Sequence, residues 1–514
     1  MSRPPTTGEL QTAAVRGSIW TSVYATTALP LSVVANIVVA RALGPIQFGY
    51  VATLIAAYGI ATTVANAGIS DATVQWGAAR HVGGAAEDLV ELVRRCAGYH
   101  LIVETPLIVV VTAVMLHSAS WEVQLVACLA AGVGMAIGTG SVVQTLLSRT
   151  ATVARVAVVT NVALQVAIAT TAVSSGSGFT TWAARVAVSN IATVVLVFLL
   201  PRPLRSAVLR PLVPRRWPEG FLPYAAKVAV GGLVSLLVFS RSEIFVLQER
   251  HLAVAAGVYA LAFGVAAQLT APVDALLGPM LPAAASLAAA APERLAAALL
   301  RGLLFTALAA GGIAAVGIPV ASALIGPIYG RQFDAVAQLL LPLALVSCVQ
   351  SLNHPVTAFL WGMRRVGALI LINVVAFAVD IAIAIATIGS LHAWGATLAN
   401  ATGQLISLGG AVWLLKRELS LPFAALAGAM RTFAEGAAAA GCGWLVASVL
   451  APGAFPAEAH ALLGLLAGLA VFLVFQRMGR RALTPEDVAI FAKGMPARLR
   501  RPATRTLYLL GFAQ

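Results

Sequence analysis

The sequence predicts an all-α polytopic membrane protein of about fourteen transmembrane helices, in two parallel six-helix lobes with two extra C-terminal helices. Three observations carry that prediction. Hydrophobic residues make up 60% of the 514 positions and charged residues only 10%, with a mean hydropathy of +0.91. That is more apolar surface than one soluble core hides, and lipid is the solvent that tolerates it. The chain also divides into long Ala/Leu/Val-rich runs, each near the roughly 20 residues needed to cross the hydrocarbon. Finally, its cations are concentrated in every second connection, the asymmetry expected of a chain with a cytoplasmic face.

In chain order the expected spans are 17–40, 46–68, 97–116, 121–146, 153–174 and 179–200. After a basic, Pro-rich stretch at 201–220 (PRPLRSAVLRPLVPRRWPEG) come 224–247, 253–280, 297–324, 338–361, 366–389 and 394–415. The last two are 430–451 and 459–476. All read as helices, because a lone strand leaves its backbone groups unpaired in lipid. Residues 1–200 are expected to form an N-lobe, 201–220 a cytoplasmic linker and 221–417 a C-lobe. Helices thirteen and fourteen occupy 418–476, and 477–514 forms a basic tail. The first run is too long and polar for the apolar stretch of a signal peptide, so it is expected to remain as an uncleaved span.

An inside N-terminus places Arg80, Arg94, Arg95, Arg149, Arg202, Arg205, Arg210, Arg215, Arg216, Arg294, Arg364, Arg365, Lys416 and Arg417 in cytoplasmic connections. The outer ones keep only Arg41, Arg250 and Arg331. Both termini are therefore expected in the cytoplasm. This distribution accounts for the formal charge of +14, which calls for no nucleic-acid partner; contact with anionic membrane lipids is a natural by-product. Cys96, Cys128, Cys348 and Cys442 lie in or beside spans without CxxC spacing and read as small apolar residues.

A weak internal repeat organises the spans. Asn161-Val162-Ala163 matches Asn373-Val374-Val375, and Trp182-Ala183-Ala184 matches Trp394-Gly395-Ala396, both at an offset of 212; Arg41 with Tyr50 matches Arg250 with Tyr259 at 209. Six spans separate the paired positions, so the halves are expected to share one orientation, with a substrate path between them. Chance matching in Ala/Val-rich sequence is the competing explanation.

Polar stripes locate faces that look away from lipid. They are Ser18, Ser22 and Thr26 with Ser32 and Asn36 in span one; Thr62, Asn66 and Ser70 in span two; Ser347, Gln350, Ser351 and His354 in span ten; and Thr397, Asn400 and Gln404 in span twelve. Helix packing by small and hydroxyl residues and a wet cavity both account for them. Charges inside the runs are Arg185, Arg241, Glu243, Asp274 and Asp380, each costing about 3 kcal/mol or more near the bilayer centre unless paired or wetted. Arg241 and Glu243 stand two apart on a helix and each wants a partner from another element. Arg185 has snorkelling and a lumenal role as alternatives. Asp274 and Asp380 are candidates to bind a coupling cation or to cap a neighbouring helix. Glu104 and Glu435 follow His100 and Arg431 by four residues near expected inner ends, so interfacial pairs are expected there. Pro30, Pro106, Pro272, Pro319, Pro342 and Pro355 predict kinked helices.

Several stretches carry a family resemblance: ARALGPIQFGYVATLIAAYGIATTVANAGISDATVQ (40–75), RSEIFVLQERHLAVAAGVYALAF (241–263), LIGPIYGRQFDAVAQLLLPLAL (324–345) and HAWGATLANATGQLISL (392–408). The chain resembles bacterial polysaccharide repeat-unit flippases, the O-antigen and exopolysaccharide branch of the multidrug/oligosaccharidyl-lipid/polysaccharide (MOP) exporter superfamily. The resemblance implies two six-helix lobes around an alternately opening cavity, a polyprenyl-pyrophosphate-linked oligosaccharide as cargo, and the bacterial plasma membrane as its place. Cations suit the pyrophosphate, and Arg241, Arg41 and Arg250 are the first candidates. Arg185, Asn36 and Asn66 join them as substrate-binding candidates, while Glu243, Asp274 and Asp380 are candidates for coupling to Na+ or H+. Other polysaccharide-assembly proteins are implied partners. The chain departs from the family's common pattern at Glu243, where the acid follows the basic residue.

A peptidoglycan-precursor flippase and a cation-coupled multidrug exporter are the alternatives within the superfamily. A membrane glycosyltransferase or polymerase is the alternative from another class; it needs a catalytic cluster on a sizeable outer loop, and the outer loops here are short and nearly uncharged. The sequence holds no Ser/His/Asp set, metal-ligand spacing or phosphate-cradling glycine loop. It therefore predicts a non-enzyme without cofactor or metal.

Overall fold

The computed structural model describes residues 7–240, 242–277, 280, 284, 287, 292–363, 365–449 and 456–478. The regular structure there is helical throughout. Contacts divide the chain into two compact units, Met1–Ser242 and Glu243–Gln514.

Unit 1 opens with α1 (Thr7–Asn66), a 60-residue helix interrupted at Gly44 by φ 66°, ψ 176°. That conformation suits glycine, and Pro45 behind it starts the next helical run without needing an N–H partner. The first two expected spans therefore share one interrupted rod. α2 (Ile69–Val82) follows a two-residue left-handed turn at Ala67 and Gly68. α3 (Ala86–Tyr99) passes through a π-helical turn, His100–Glu104, directly into α4 (Thr105–Met115). The remainder are α5 (Trp121–Ala136), α6 (Thr139–Leu146), α7 (Thr150–Ser175), α8 (Gly178–Phe198), α9 (Arg202–Leu209) and α10 (Phe221–Phe239). α1 packs on α7, α7 on α8, and α5 on α4 and α8, around Ile108, Ala127, Ala131 and Trp182.

The basic stretch 201–220 is laid down on this unit. Leu204, Ala207 and Val208 of α9 are buried, Leu212 N donates to Arg94 O at 2.9 Å, and Arg94 Nε donates to Arg210 O at 2.8 Å. Trp217 then stacks on Phe221 at 4.5 Å. Guanidinium groups here tie backbone to backbone besides carrying charge.

Unit 2 comprises α11 (Glu243–Glu249), α12 (Ala253–Leu277), α13 (Leu295–Tyr329), α14 (Ala335–Gly362), α15 (Val366–Leu391), α16 (Ala393–Glu418), α17 (Phe423–Val449) and α18 (Ala457–Met478). Its core gathers Leu299 and Leu303 of α13, Leu352, Val356 and Leu360 of α14, and Leu415 of α16. α13, α17 and α18 meet backbone to backbone: a Cβ on Gly436 would lie 2.3 Å from Gly311 Cα, and one on Gly468 would lie 2.0 Å from Ala315 O. Small residues at such crossings replace the hydrophobic drive that lipid removes.

Twelve helices among the described residues are long and apolar enough to cross a membrane. Two of the fourteen expected spans share α1, and the thirteenth corresponds to α17, which carries Arg431 and Glu435 and stands outside the twelve. Large apolar side chains face outward on these helices, such as Val159 at 70% and Leu371 at 65% exposure. Such faces suit lipid and would not suit water.

Candidate functional site

The expected seventh span is broken at its charges. α10 ends at Phe239, Ser240 is extended at φ −96°, ψ −173°, and the chain becomes helical again at Glu243. Arg241 lies outside the described residues. Opening a helix suits Glu243, because free N–H groups there favour a carboxylate.

Glu243 is fully buried, and both its oxygens are engaged. Tyr259 Oη of α12 donates to Oε2 at 2.8 Å, and Asn400 Nδ2 of α16 donates to Oε1 at 2.8 Å. Gln404 Nε2 donates in turn to Asn400 Oδ1 at 2.9 Å. Asp380 of α15 is also fully buried, close enough for its charge to act on Glu243. α16 approaches it through Gly403, where a Cβ would lie 2.9 Å from Asp380 Cβ. Further along α16 the ladder continues: Ser407 Oγ donates to Asn373 Oδ1 at 2.7 Å and accepts from Asn353 Nδ2 at 3.0 Å. The stripe expected on span twelve is thus one face of α16, satisfied by α11, α14 and α15. Two neighbouring carboxyl groups, that of Glu243 held by an amide and a hydroxyl donor, can share a proton or receive a hard cation, since two adjacent buried anions repel.

Asp274 belongs to a different place, roughly 22 Å along α12 from Tyr259 at 1.5 Å per residue. Ser351 Oγ donates to Asp274 Oδ1 at 2.6 Å, and His354 Nδ1 stands 3.6 Å from the same oxygen. These side chains are partly open, at 34% exposure for Asp274 and 41% for His354. Pro272 and Pro355 lie beside them in α12 and α14. The three coupling candidates therefore form one pair and one separate acid.

The substrate-binding candidates are dispersed. Arg41 is exposed near the interruption of α1, and Asn36 is half-buried one turn earlier. Arg185 is half-buried in α8, within electrostatic reach of Tyr24 of α1. Arg250 is exposed just beyond α11, its Nη2 donating to Ile385 O at 3.5 Å, a placement that suits a cation at a helix end.

Asn66 belongs to a cluster that sequence reading did not single out as a site. Its Nδ2 donates to Ser70 Oγ at 2.7 Å, which lies 3.3 Å from His100 Nε2. His100 Nε2 is 3.6 Å from Glu104 Oε2. The i, i+4 pairing of His100 with Glu104 is present, and both residues are buried within the protein, at 3% and 4% exposure. The stripe Asn66–Ser70 and the pair His100–Glu104 were both visible in sequence; their meeting was not, because a left-handed turn and a π turn create it. Arg431–Glu435 does keep an outward character, with Arg431 Nε 2.7 Å from Glu435 Oε1 and 61% exposed.

Among the described residues, no three or more His, Cys, Asp or Glu side chains are grouped to hold a metal ion. A family model described as "Polysaccharide biosynthesis protein" matches residues 38–338. No curated protein matches significantly. Among solved structures, the fold is similar to the lipid II flippase MurJ in an inward closed conformation, with TM-score 0.63, 11% identity, and coverage of 90% of this chain and 99% of that one. It is also similar to a MOP superfamily transporter from Pyrococcus furiosus, with TM-score 0.54, 13% identity, and coverage of 82% and 100%. A MATE transporter from Vibrio cholerae gives TM-score 0.52, 15% identity, and coverage of 80% and 98%. With twelve membrane-length apolar helices among its described residues, the fold of MOP transporters and a match over more than half its length, the chain belongs to the polysaccharide biosynthesis protein family.

Proposed function

We propose that this protein is a transporter that flips a polyprenyl-pyrophosphate-linked oligosaccharide from the inner to the outer leaflet of the bacterial plasma membrane, by alternating access, with both termini cytoplasmic. The observation that carries the reading is the family match over residues 38–338. The fold supports it, and so do polar side chains buried inside apolar helices, which a passive membrane anchor would not retain. In this reading Arg241, Arg41, Arg250 and Arg185 serve the anionic headgroup, and Asn36 and Asn66 serve the sugars. Glu243 with Asp380, and Asp274 separately, couple movement to Na+ or H+. The protein works as a carrier and not as an enzyme.

The test is reconstitution in proteoliposomes with a fluorescent polyprenyl-pyrophosphate oligosaccharide, read by accessibility of the sugar to an external quencher. Wild type is expected to move the probe between leaflets. Arg241→Ala is expected to lose about tenfold, the equivalent of about 1.4 kcal/mol from one charge-assisted contact; an unchanged rate removes Arg241 from the site. Asp380→Asn and Asp274→Asn are expected to flatten the Na+ or pH dependence, and unchanged profiles in both discard coupling through them. A lipid II reading draws on likeness of fold to MurJ; preference for a lipid-linked muropeptide over the oligosaccharide would replace the cargo named here.

A further inference from the structure

The geometry points to a further ion site, in unit 1: we propose that His100 and Glu104 form a proton-binding site whose occupancy is tied to the turn between α1 and α2. Its coupling role rests on the transport reading above, whereas its protonation does not.

The argument begins with the backbone. Between α3 and α4 the chain makes a π turn over His100–Glu104, where Thr105 N and Thr105 Oγ1 both donate to His100 O, the latter at 2.8 Å. Pro106 follows, with no N–H to give. Isolated π turns inside α-helices are frequent at functional sites. Here the two side chains presented are a base and an acid, both buried, with Nε2 and Oε2 3.6 Å apart.

Across from them is a second irregularity. α1 stops at Asn66, Ala67 and Gly68 take left-handed conformations (φ 48° and 72°), and α2 starts at Ile69. Asn66 Nδ2 donates to Ser70 Oγ, Ser70 N donates to Asn66 Oδ1 at 3.3 Å, and Ser70 Oγ touches His100 Nε2. Tyr99 Oη bonds Ala65 O at 2.8 Å. The turn and the π segment are thus fastened together at Tyr99 and at His100, the base of the pair that would share the proton.

Charge accounting gives the site its content. The ionisable side chains facing Glu104 are His100, Cys96 and Tyr99 from the α3 side and Tyr58 from α1. Of the other elements packed on the π turn, α4 holds no ionisable side chain, and α5 holds Cys128, whose Sγ bonds Val109 O, and Glu122, which is exposed. Ser70 of α2 and Thr139 of α6, which bonds Cys96 Sγ, are hydroxyls. No lysine, arginine or second carboxyl stands among these facing groups. A single proton shared by Glu104 and His100 keeps the pair neutral, as acid with imidazole or as carboxylate with imidazolium. Removing it leaves a buried anion, which requires water to enter. The Asn66 amide reaches the Glu104 carboxyl, while Oε2 has no hydrogen-bond partner, so the oxygen that would carry the proton is the unsatisfied one. Proton release therefore belongs to a state in which the contact of α1 and α2 with the π turn has opened.

The test is infrared difference spectroscopy of the purified full chain in lipid nanodiscs, titrated in pH without substrate. A protonated-carboxyl band that titrates in wild type and is absent in Glu104→Gln, while shifting its midpoint in His100→Gln, is the expected result. A titrating band unchanged in Glu104→Gln overturns the proposal. Sodium added at constant pH is expected to leave the band in place; its removal by sodium overturns the proton assignment in favour of a metal-cation site. Elution of each variant as a single species in size exclusion guards against misfolding. In proteoliposomes, an imposed pH gradient is expected to stimulate lipid-linked oligosaccharide flipping severalfold in wild type and not in Glu104→Gln. Equal stimulation of both removes the coupling role, whereas no flipping by wild type, with the band intact, falls on the transport reading alone.

Discussion

The two units bury an acid in opposite ways. In unit 2 the Glu243 carboxyl is held by neutral donors, Tyr259 and Asn400, one to each oxygen. In unit 1 Glu104 faces an imidazole at 3.6 Å and leaves Oε2 without a hydrogen bond. The first arrangement gives each carboxyl oxygen a hydrogen bond, with the charge of Asp380 close by; the second leaves one oxygen without any. The scaffolds differ accordingly. Unit 2 presents its donors from a regular helical face, Thr397, Asn400, Gln404 and Ser407 on α16, whereas unit 1 presents its pair from a left-handed turn and a π turn. Glu243 itself opens α11 beyond the break at Ser240, so the contrast lies in how the donors are presented and not in the regularity of the acid's own segment.

Four single variants and one double variant would break or sharpen that contrast, all read by thermal unfolding in detergent with ligand absent. Gly68→Val in unit 1 should cost most, about 4 kcal/mol or failure to accumulate. Gly68 has φ 72°, and a Cβ there would lie 2.1 Å from Ala225 O of α10. Near-normal stability would show that the turn is pliable and weaken the contrast at its base. Asn400→Leu in unit 2 should cost about 3 kcal/mol, because Glu243 Oε1 loses its donor while remaining buried. Adding Glu243→Gln to that variant should recover part of the loss by removing the charge; no recovery would mean that Asn400 acts through packing alone. Tyr259→Phe should cost about 1–2 kcal/mol, with the ring kept and only the Oε2 contact removed. Ser70→Ala in unit 1 should cost least, under about 1 kcal/mol, since Asn66 Nδ2 loses its contact in a half-buried setting. A loss from Ser70→Ala larger than that from Tyr259→Phe would reverse the order and place the tighter network in unit 1.

Much of this fold was legible because lipid imposes so few solutions. Runs of about 20 apolar residues can only be helices there, and the stripe on span twelve appeared with its correct residues. What hydropathy could not resolve was interruption. LVFSRSEIFVLQ remains apolar on average across the break at Ser240, so one span was expected where α10 ends and α11 begins. Gly44-Pro45 is a loop signal in sequence, yet helix continues on both sides of it within α1. The π turn leaves no compositional trace at all, since HLIVE has an ordinary i, i+4 pair. The burial of that pair was illegible for a second reason. Nothing in HLIVE shows that Ser70 and Asn66, some thirty residues earlier, are placed over His100 and Glu104. Gly403 gave no hint that it admits the α16 backbone to Asp380, because tolerance of a close approach belongs to the partner helix as much as to the glycine.

The π turn has one further consequence, concerning register. It amounts to a single surplus residue in an otherwise α-helical rod, so the helix before it and the helix after it each keep their own apolar face toward the protein. Deleting Leu101, which points outward at 43% exposure, would let α3 and α4 join as one continuous α-helix with both faces preserved, while moving Glu104 from four residues after His100 to three. The same deletion anywhere else in α3 or α4 would turn one face by about 100°. A chain shortened at that point would retain its architecture and lose only the alignment of acid and base, separating the cost of the turn from the use made of it.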